Sequence, residues 1–213
     1  FPGAKALNVA AKICIFAALV ASYAPVGKGA ALKDIGRIDV HMGRFIVLAP
    51  MCLVATADAS GKQDVTPRGD PPGFVRVLDD GTLLIPDRSG NKRVDSMRNI
   101  LHTGRAGLLF LVPGMGETLR INGRASLIRD EEHLAPLTVN GKRPALAIAV
   151  VPEQCFLQCA KAIVRSKLWD AETKIDRKSL PSTGTIVAEV SKGRLGGEEY
   201  DRAAPERIKA QLY

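Results

Sequence analysis

Two short segments of the sequence combine proline, glycine and charge in a way that suits anion binding. The first is PRGDPPG, from Pro67 to Gly73, and the second is PDRSGNKR, from Pro86 to Arg93. From Asp87 to Arg105 there are five basic and two acidic residues. A phosphate needs converging cationic donors, and each charge-assisted hydrogen bond contributes about 1.5 to 3 kcal/mol. We therefore expect an anion site here, although a solvated basic face without a ligand has the same spacing.

Other catalytic and ligand-binding patterns are missing from the sequence. The nearest match to a dinucleotide-binding glycine motif, Gly114 to Leu119, lacks the third glycine, and there is no P-loop. The three histidines have no paired ligand spacing, and no Gly-x-Ser-x-Gly element marks a nucleophilic serine. We expect no metal site, and the sequence names no catalytic residue. Four cysteines are too few for a disulfide framework at this length, which fits a reducing, cytoplasmic location, and none has the Cys-x-x-Cys spacing of a zinc ribbon.

The composition predicts a globular protein with one main domain. The 213 residues are 46% hydrophobic and 24% charged, which excludes intrinsic disorder. The net charge of +8 favours anionic partners. Aromatic residues make up only 5% and do not alternate with arginine and lysine along strands, so we expect no nucleic-acid partner. No apolar stretch is long enough to cross a bilayer, so we expect no membrane partner either.

Apolar runs separated by turn residues predict six or seven strands. The runs cover residues 46–56, 74–78, 82–86, 107–112, 118–128 and 145–151, and the turn residues from Asp58 to Gly61 predict a hairpin into a further strand that reaches Val65. PRGDPPG is expected to be irregular, and Asn122-Gly123 to form a turn or a bulge. Helices are expected over residues 30–45, 94–101 and 130–137, and the helix near Val94 would present its N-terminal dipole to the second loop. This succession predicts a mainly β protein, a small antiparallel barrel or sandwich with flanking helices.

The start of the chain admits two interpretations. Apolar residues recur at helical spacing from Leu7 to Ala21, and Pro25 and Gly27 would end such a helix. The same stretch, with two lysines ahead of an apolar run, also mimics a signal peptide.

Three segments of the sequence resemble one known family. They are DVTPRGDPPGFVRVLDDGTLLIPDRSGNKRVDSMRNIL, GLLFLVPGMGETLRINGRA and CAKAIVRSKLW. They are similar to FMN-binding proteins related to pyridoxamine 5'-phosphate oxidase, in the branch that carries PRGDPPG. The resemblance implies an antiparallel, Greek-key split β-barrel that forms a homodimer with FMN at the subunit interface. It divides the chain into an N-terminal helix or arm (1–30), the FMN-binding split barrel (31–170) and a C-terminal arm (171–213) that packs on the barrel or the partner subunit.

The resemblance also implies which positions contact FMN. The strand ends beside the flavin ring would contribute Arg68, Gly69, Ile85, Pro86 and Asp87. The phosphate clamp would consist of Asn91, Lys92 and Arg93, where charge had already placed an anion. The strand that reaches the flavin from the partner subunit would contribute Glu117, Thr118 and Arg120. The segment that closes over the ring would contribute Lys161, Arg165, Ser166 and Trp169.

Several of these residues also have simpler structural roles open to them. Trp169 could be a core residue, Arg68 could pair with Asp70 inside its own loop, and Arg120 and Arg124 share a sheet face and could both be solvated.

The sequence departs from the oxidase itself in one respect. The substrate-binding arginine and histidine near the end of that enzyme have no counterpart after Trp169, so oxidation of pyridoxamine phosphate is not expected. We expect an FMN-dependent oxidoreductase acting on an unknown small molecule, in which Lys161 or Arg165 would stabilise the reduced flavin. The alternative is a non-catalytic split-barrel carrier of flavin, haem or a related cofactor.

Overall fold

The structure, a computed structural model, describes residues 9–22 and 27–212. Contacts divide the chain between Asp34 and Ile35 into two compact units. The first unit contains helices α1 (Val9–Ser22) and α2 (Lys28–Leu32). The predicted first helix is therefore confirmed over its described residues, while Pro25, expected to end it, lies outside them. No helix in the described part of the chain is both long and apolar enough to span a membrane.

The second unit holds all the strands and the remaining described helices. In chain order these are α3 (Val40–Leu48), β1 (Met51–Ala57), β2 (Gln63–Gly69), β3 (Arg76–Val77), β4 (Leu83–Pro86), α4 (Asp95–Thr103), β5 (Arg105–Leu111), β6 (Thr118–Ile128), α5 (Glu131–Leu134), β7 (Ala147–Gln158), α6 (Lys161–Ser166), α7 (Thr183–Val190), α8 (Glu198–Arg202) and α9 (Ala204–Gln211). Short 3₁₀ turns cover Ala135–Leu137, Ala171–Thr173 and Arg177–Ser179.

The strands form one antiparallel sheet in the order β2-β1-β5-β6-β7-β4-β3. The sheet curls into a half-barrel with helices on its flanks, which is the split-barrel fold expected from the sequence. Its register shifts between Asn122 and Gly123, so this dipeptide forms a β-bulge rather than a turn. The bulge falls where the two longest strands, β6 and β7, pair along their length.

Three sequence expectations for local structure were wrong in their bounds. The helix predicted over residues 30–45 is interrupted, because Gly36 takes a left-handed conformation (φ +64°) and Asp39 caps a new helix, α3. The strand predicted from Ile46 begins only at Met51, after Pro50. PRGDPPG is not wholly irregular, since β2 continues to Gly69. Proline is tolerated there because β2 is an edge strand, where a missing N–H can face away from the partner strand.

Apolar side chains cover both faces of β4. Leu83 and Ile85 belong to the main core together with Ile46, Phe110 and other buried residues. Leu84 points the other way and packs in a second cluster with Leu134 and Leu137, from α5 and the 3₁₀ turn that follows it. Alternation along a strand explains this division, and it holds the end of β4 rigidly between two apolar layers.

Helix α4 is fixed to the sheet by polar as well as apolar contacts. The side chain of Asn99 donates a buried 3.0 Å hydrogen bond to Thr56 Oγ1, and Ser96 Oγ donates to Asp64 Oδ2 at 2.7 Å. Met97 and Ile100 are buried on the same side of the helix. These contacts hold the N-terminus of α4, and with it the preceding basic loop, against β1 and β2.

The chain beyond the barrel is also folded. The carboxylate of Asp201 in α8 accepts a 2.7 Å hydrogen bond from the backbone N–H of Gly184 in α7. Gly197 N–H donates to the Gly184 carbonyl oxygen at 2.9 Å, and Gly184 is buried because the two segments approach so closely. The guanidinium of Arg207 in α9 lies 4.1 Å from the centre of the Tyr200 ring. These contacts fix α7, α8 and α9 relative to one another.

Candidate functional site

The two loops predicted to bind an anion converge on one cavity. This basic cavity has a volume of about 420 Å³, and its cationic lining includes Arg68, Lys92 and Arg93. A second cavity of about 310 Å³, the strand-end cavity, adjoins it and adds the end of β2, from Thr66 to Gly69, together with Pro86. The structure thus brings together seven predicted site residues, namely Arg68, Gly69, Pro86, Asp87, Asn91, Lys92 and Arg93.

The backbone of the second loop shapes the predicted phosphate clamp. The side-chain oxygen of Asn91 accepts a 3.0 Å hydrogen bond from the backbone N–H of Arg93. Lys92, between them, has a left-handed backbone conformation (φ +61°). A residue other than glycine adopts this conformation at an energetic cost, and such conformations cluster at binding sites. The turn presents Asn91, Lys92 and Arg93 along one rim of the basic cavity.

An ion pair between Asp70 and Arg88 joins the two loops. Arg88 Nε donates to Asp70 Oδ2 at 2.7 Å, and Arg88 Nη1 donates to the carbonyl oxygen of Leu137, also at 2.7 Å. The expected alternative pairing of Arg68 with Asp70 is therefore wrong, because Arg88 holds the carboxylate. Arg68 Nη1 instead donates to the neighbouring Pro67 carbonyl oxygen at 3.2 Å.

Arg68 is the central cation of the site. It lines both cavities, and its Nε is buried with no hydrogen-bond partner among the described residues. A buried donor without a partner is costly, so an acceptor group supplied by a ligand would be stabilised at this position. Across the β1–β2 pair Arg68 lies opposite Cys52, whose pKa is raised by burial to about 12 with the Arg68 charge acting against the shift.

Asp87 is the acidic member of the same cavity. It is half-buried, and this burial raises the pKa of its carboxyl above the ordinary value, while the nearby Arg68 charge acts in the opposite direction. The ionised carboxylate is therefore held at a cost in free energy, and it would also repel an incoming anion. The attraction of the basic cavity for phosphate comes from its cations and is reduced by Asp87 and by the ion pairs that Arg93 makes with Asp95 and Arg143 with Glu131.

Two further cations of the basic cavity were missed by the sequence analysis. Lys142 and Arg143 line the same cavity as the predicted clamp. They follow a tight turn in which Asn140 and Gly141 both have positive φ, closed by hydrogen bonds between Val139 and Lys142. The Asn-Gly pair is a known signal for such a turn. The signal that could have found them was therefore a rigid turn followed directly by two basic residues.

Ile85 is the predicted ring-edge residue whose side chain lies away from both cavities. It is fully buried in the main core, where β4 pairs with β7. Its neighbours Pro86, which is buried, and Asp87, which is partly buried, follow at the end of the strand and line the strand-end cavity.

Glu117, Thr118 and Arg120 also lie outside the two cavities, at the start of β6. Thr118 Oγ1 donates to Gln158 Oε1 at 3.1 Å, and the Arg120 guanidinium lies 4.3 Å from the centre of the Phe156 ring. Arg120 Nε is buried and has no hydrogen-bond partner among the described residues. Of the two arginines expected to share a solvated face, only Arg124 is exposed, where it pairs with Glu153 at 3.3 Å.

The segment predicted to close over the ring lies on another side of the strand ends. Lys161, Arg165 and Ser166 are exposed on α6, and Ser166 Oγ donates to the Ile163 carbonyl oxygen at 3.1 Å. Trp169 is partly buried, outside the described core clusters, so it is not the core residue that was considered as an alternative. Its Nε1 donates to the Met115 carbonyl oxygen at 2.7 Å.

Trp169 lines a separate apolar cavity of about 530 Å³. Its other walls include Met51, Leu111 and Pro113, and it shares Pro67 and Gly69 with the strand-end cavity. A polar, cationic cavity and an apolar, aromatic cavity therefore lie on two sides of the end of β2. Within the described residues no three histidine, cysteine or acidic side chains cluster as metal ligands.

A curled antiparallel sheet with a cationic cavity at its strand ends defines a split-barrel protein. The chain belongs to the pyridoxamine 5'-phosphate oxidase family, whose sequence model matches residues 39–159, more than half of the 213 residues. This confirms the family resemblance inferred from the sequence. The match ends shortly before α6, so α6 to α9 lie beyond it.

Solved structures with a similar fold have low sequence identity. HupZ from Group A Streptococcus is 19% identical, with 57% of this chain and 94% of that chain covered and a TM-score of 0.47. A pyridoxamine 5'-phosphate oxidase-related, FMN-binding protein from Nostoc punctiforme is 17% identical, with 66% and 86% covered and a TM-score of 0.41. HutZ, the haem storage protein from Vibrio cholerae, is 12% identical, with 58% and 94% covered and a TM-score of 0.38. No curated protein sequence matches the chain.

Proposed function

We propose that this protein binds FMN and is an FMN-dependent oxidoreductase acting on a small molecule. The observation that carries the proposal is the basic cavity, in which Arg68 Nε is a buried donor with no partner among the described residues and Asn91, Lys92 and Arg93 also contribute to the lining. Lys142 and Arg143, from a different segment of the chain, line the same cavity and would add cations to the phosphate site. Family membership supports the choice of FMN among phosphate-bearing ligands.

The chain's own residues would bind and orient the cofactor. The cations of the basic cavity would hold the phosphate, and the end of β2 at Pro67 to Gly69 would lie along the less polar part of the molecule. Ile85 would act indirectly, because its burial fixes the strand end that carries Pro86 and Asp87. When bound, FMN supplies hydride or electron transfer, which this side-chain set does not provide by itself.

We also propose a homodimer in which β6 contributes to the partner subunit's flavin site. Glu117, Thr118 and Arg120 do not line the basic or strand-end cavity of their own chain. The buried Arg120 Nε has no partner among the described residues, which suits a contact with a group from outside the subunit. Sedimentation equilibrium would test the dimer, and a monomer that binds FMN fully would contradict this arrangement.

The first test is an absorption spectrum of the purified protein, with mass spectrometry of any chromophore released by acid. We expect a flavin spectrum and the mass of FMN. A matching test uses Trp169, the only tryptophan of the chain, because FMN added to the apoprotein should quench its fluorescence. A colourless protein whose tryptophan fluorescence does not respond to FMN would overturn the proposal.

Bound FMN alone would not establish catalysis. A screen of NADH and NADPH with added electron acceptors separates an oxidoreductase from a carrier, since a carrier would hold flavin without turnover. A haem spectrum in place of a flavin spectrum would favour the carrier of another cofactor. Against haem, none of the three histidines lines the basic or strand-end cavity.

A further inference from the structure

Helix α9 forms one side of a groove that opens beside the proposed flavin site. The groove has a volume of about 470 Å³, and α9 and the residue after it contribute Ile208, Gln211 and Leu212. Its other side consists of Gly69, Asp70 and residues 88–91 from the two loops. We call it the outer groove. It shares Gly69 and residues 88–91 with the strand-end cavity, so the two adjoin.

Helices α7, α8 and α9 are joined to one another by the Asp201–Gly184 hydrogen bond and by the stacking of Arg207 on Tyr200. Ile208, Gln211 and Leu212 are three and four residues apart, so they share one helix face. That face lies toward the loops, and yet Ile208 and Leu212 remain 58% and 56% exposed. Exposed apolar side chains at the edge of a cavity are suited to contact a ligand.

The outer groove differs from the basic cavity in its charge. The Arg88 cation is paired with Asp70, so this charged pair adds no net charge to the groove. Among the described residues, the remaining side-chain donors and acceptors of its lining are the uncharged groups of Ser89, Asn91 and Gln211. The described lining therefore has no net charge, with apolar side chains on α9 and hydrogen-bonding groups on the loop. Such a lining suits a neutral organic molecule with an apolar body and a polar edge.

We propose that the outer groove binds the second substrate of the protein, a small neutral organic molecule, and that Ile208 and Leu212 determine its selection. The α9 wall lies beyond the segment matched by the family, so it is a feature of this chain's own C-terminal helices. The inference rests on the proposed function, because a second substrate has to bind next to the flavin with which it reacts.

The test uses two matched quinones as probes, neutral menadione and the anionic 1,2-naphthoquinone-4-sulfonate. Each is titrated into the full-length protein, with and without FMN, and binding is followed by quenching of Trp169, whose cavity shares Gly69 and Asp70 with the outer groove. We expect menadione to bind more tightly than the sulfonate. Tighter binding of the sulfonate by the FMN-loaded protein, in which the basic cavity is already filled, would overturn the proposal, because it would indicate that the outer groove is an anion site.

Substitutions in α9 test whether menadione binds in the outer groove. Ile208→Asp and Ile208→Lys should each raise the menadione half-saturation concentration about five- to tenfold, the factor for losing the burial of one or two methyl groups. Ile208→Met, which keeps an apolar side chain, should bind as the wild type does. The matched control is Val190→Asp, because Val190 is 77% exposed on α7 and lines none of the described cavities.

The outcomes separate this inference from the proposed function. Equal menadione binding by wild type, both charged Ile208 variants and Val190→Asp would overturn the role of α9. The same would follow if Ile208→Met lost binding as strongly as the charged variants while circular dichroism showed unchanged helix content. Failure of FMN to bind, with menadione binding still dependent on Ile208, would contradict the flavin site and leave the neutral groove supported.

Discussion

Arg88 Nε lies 2.7 Å from Asp70 Oδ2, and this contact joins two loops that are 18 residues apart in the chain. The pair is largely withdrawn from water, with the side chain of Arg88 15% exposed and that of Asp70 3% exposed. Arg88 also donates to the Leu137 carbonyl oxygen, so a third segment, the one that leads to Lys142 and Arg143, is attached at the same point. One guanidinium thus holds all three walls of the basic cavity together.

Replacing Arg88 by glutamine should destabilise the fold and weaken FMN binding together. The Asp70 carboxylate would lose its cation while remaining buried, and removing one partner of a buried ion pair costs about 3 kcal/mol. We expect a lower urea midpoint with an unchanged slope, and a higher FMN dissociation constant because the three loop segments are no longer held in register.

The control for this change is Arg98→Gln, which removes the exposed ion pair between Arg98 and Asp95. Exposed pairs of this kind contribute roughly 1 kcal/mol or less, so its urea midpoint should stay close to that of the wild type. Equal stability losses in the two variants would show that the Asp70–Arg88 pair has no special role.

Lys142 should contribute to FMN affinity as Lys92 does, although only Lys92 was predicted from the sequence. Loss of one charge-assisted hydrogen bond of about 1.5 to 3 kcal/mol corresponds to roughly a 10- to 100-fold higher dissociation constant. We expect this for Lys92→Gln and for Lys142→Gln, measured by flavin fluorescence. Arg129→Gln, which removes an exposed cation that lines neither the basic nor the strand-end cavity, is the control. Full affinity in Lys142→Gln would restrict the clamp to residues 91–93.

The sequence drew attention to Asn91, Lys92 and Arg93 because their signal is local. They are adjacent in the chain, so a local excess of positive charge marks them, and all three line the basic cavity, while their role as a phosphate clamp stays a prediction. The strands were found for the same reason, since apolar alternation is read within one segment. The β-bulge at Gly123 was one of two outcomes that a strand-internal Asn-Gly pair allows.

The parts that sequence could not predict depend on sheet order. Asp70 pairs with Arg88 rather than with the nearer Arg68 because Arg68 lies within β2, opposite Cys52, while Asp70 lies just beyond the strand. Lys142 and Lys92 line the same cavity because β4 pairs with β7, which brings residues 86 and 147 together. The position of α9 beside the loops likewise could not be predicted, because α8 and α9 are short and polar and only α7 has an apolar run.

Gly123 should be one of the least replaceable residues of the barrel. A Cβ atom at this position would overlap the carbonyl group of Val151 and lie 3.2 Å from Pro152 Cα, because β6 and β7 approach closely at the bulge. Gly123→Ala should therefore lower the free energy of unfolding by about 2 to 3 kcal/mol, as forced overpacking does. Urea unfolding of the two proteins measures this difference.

Replacing Gly43 by alanine should change the free energy of unfolding in the opposite direction to the change at Gly123. Gly43 lies within helix α3, and the nearest atom to a Cβ there would be Ile38 Cγ2 at 3.9 Å, an ordinary contact. Gly43→Ala should stabilise the protein by roughly 0.5 to 1 kcal/mol, because alanine loses less backbone freedom in a helix. If both alanine variants shifted the midpoint in the same direction, the close approach at the bulge would not explain the effect at Gly123.

Asp87 should make stability and anion binding depend on pH. Burial raises the pKa of its carboxyl above the ordinary 3.8, so the folded protein binds this proton more tightly than the unfolded chain does. As the pH rises above 3.8 through the folded pKa, ionisation of Asp87 therefore costs free energy of folding. Asp87→Asn removes that cost, so the variant should gain stability relative to wild type as the pH rises and lose this advantage in acid.

Asp58 gives the opposite sign and serves as the comparison. Hydrogen bonds from Ser60 and the Lys62 backbone lower the pKa of its carboxyl below 3.8. Asp58→Asn should therefore lose stability relative to wild type as the pH rises from this lowered pKa to above 3.8. The free energies of unfolding of the two variants, measured with urea from pH 3 to pH 7, should therefore change in opposite directions relative to wild type.

Asp87 should also affect FMN affinity. Since the Asp87 carboxylate repels an anion, Asp87→Asn should bind FMN more tightly at neutral pH. Weaker binding would indicate that Asp87 contacts the cofactor directly.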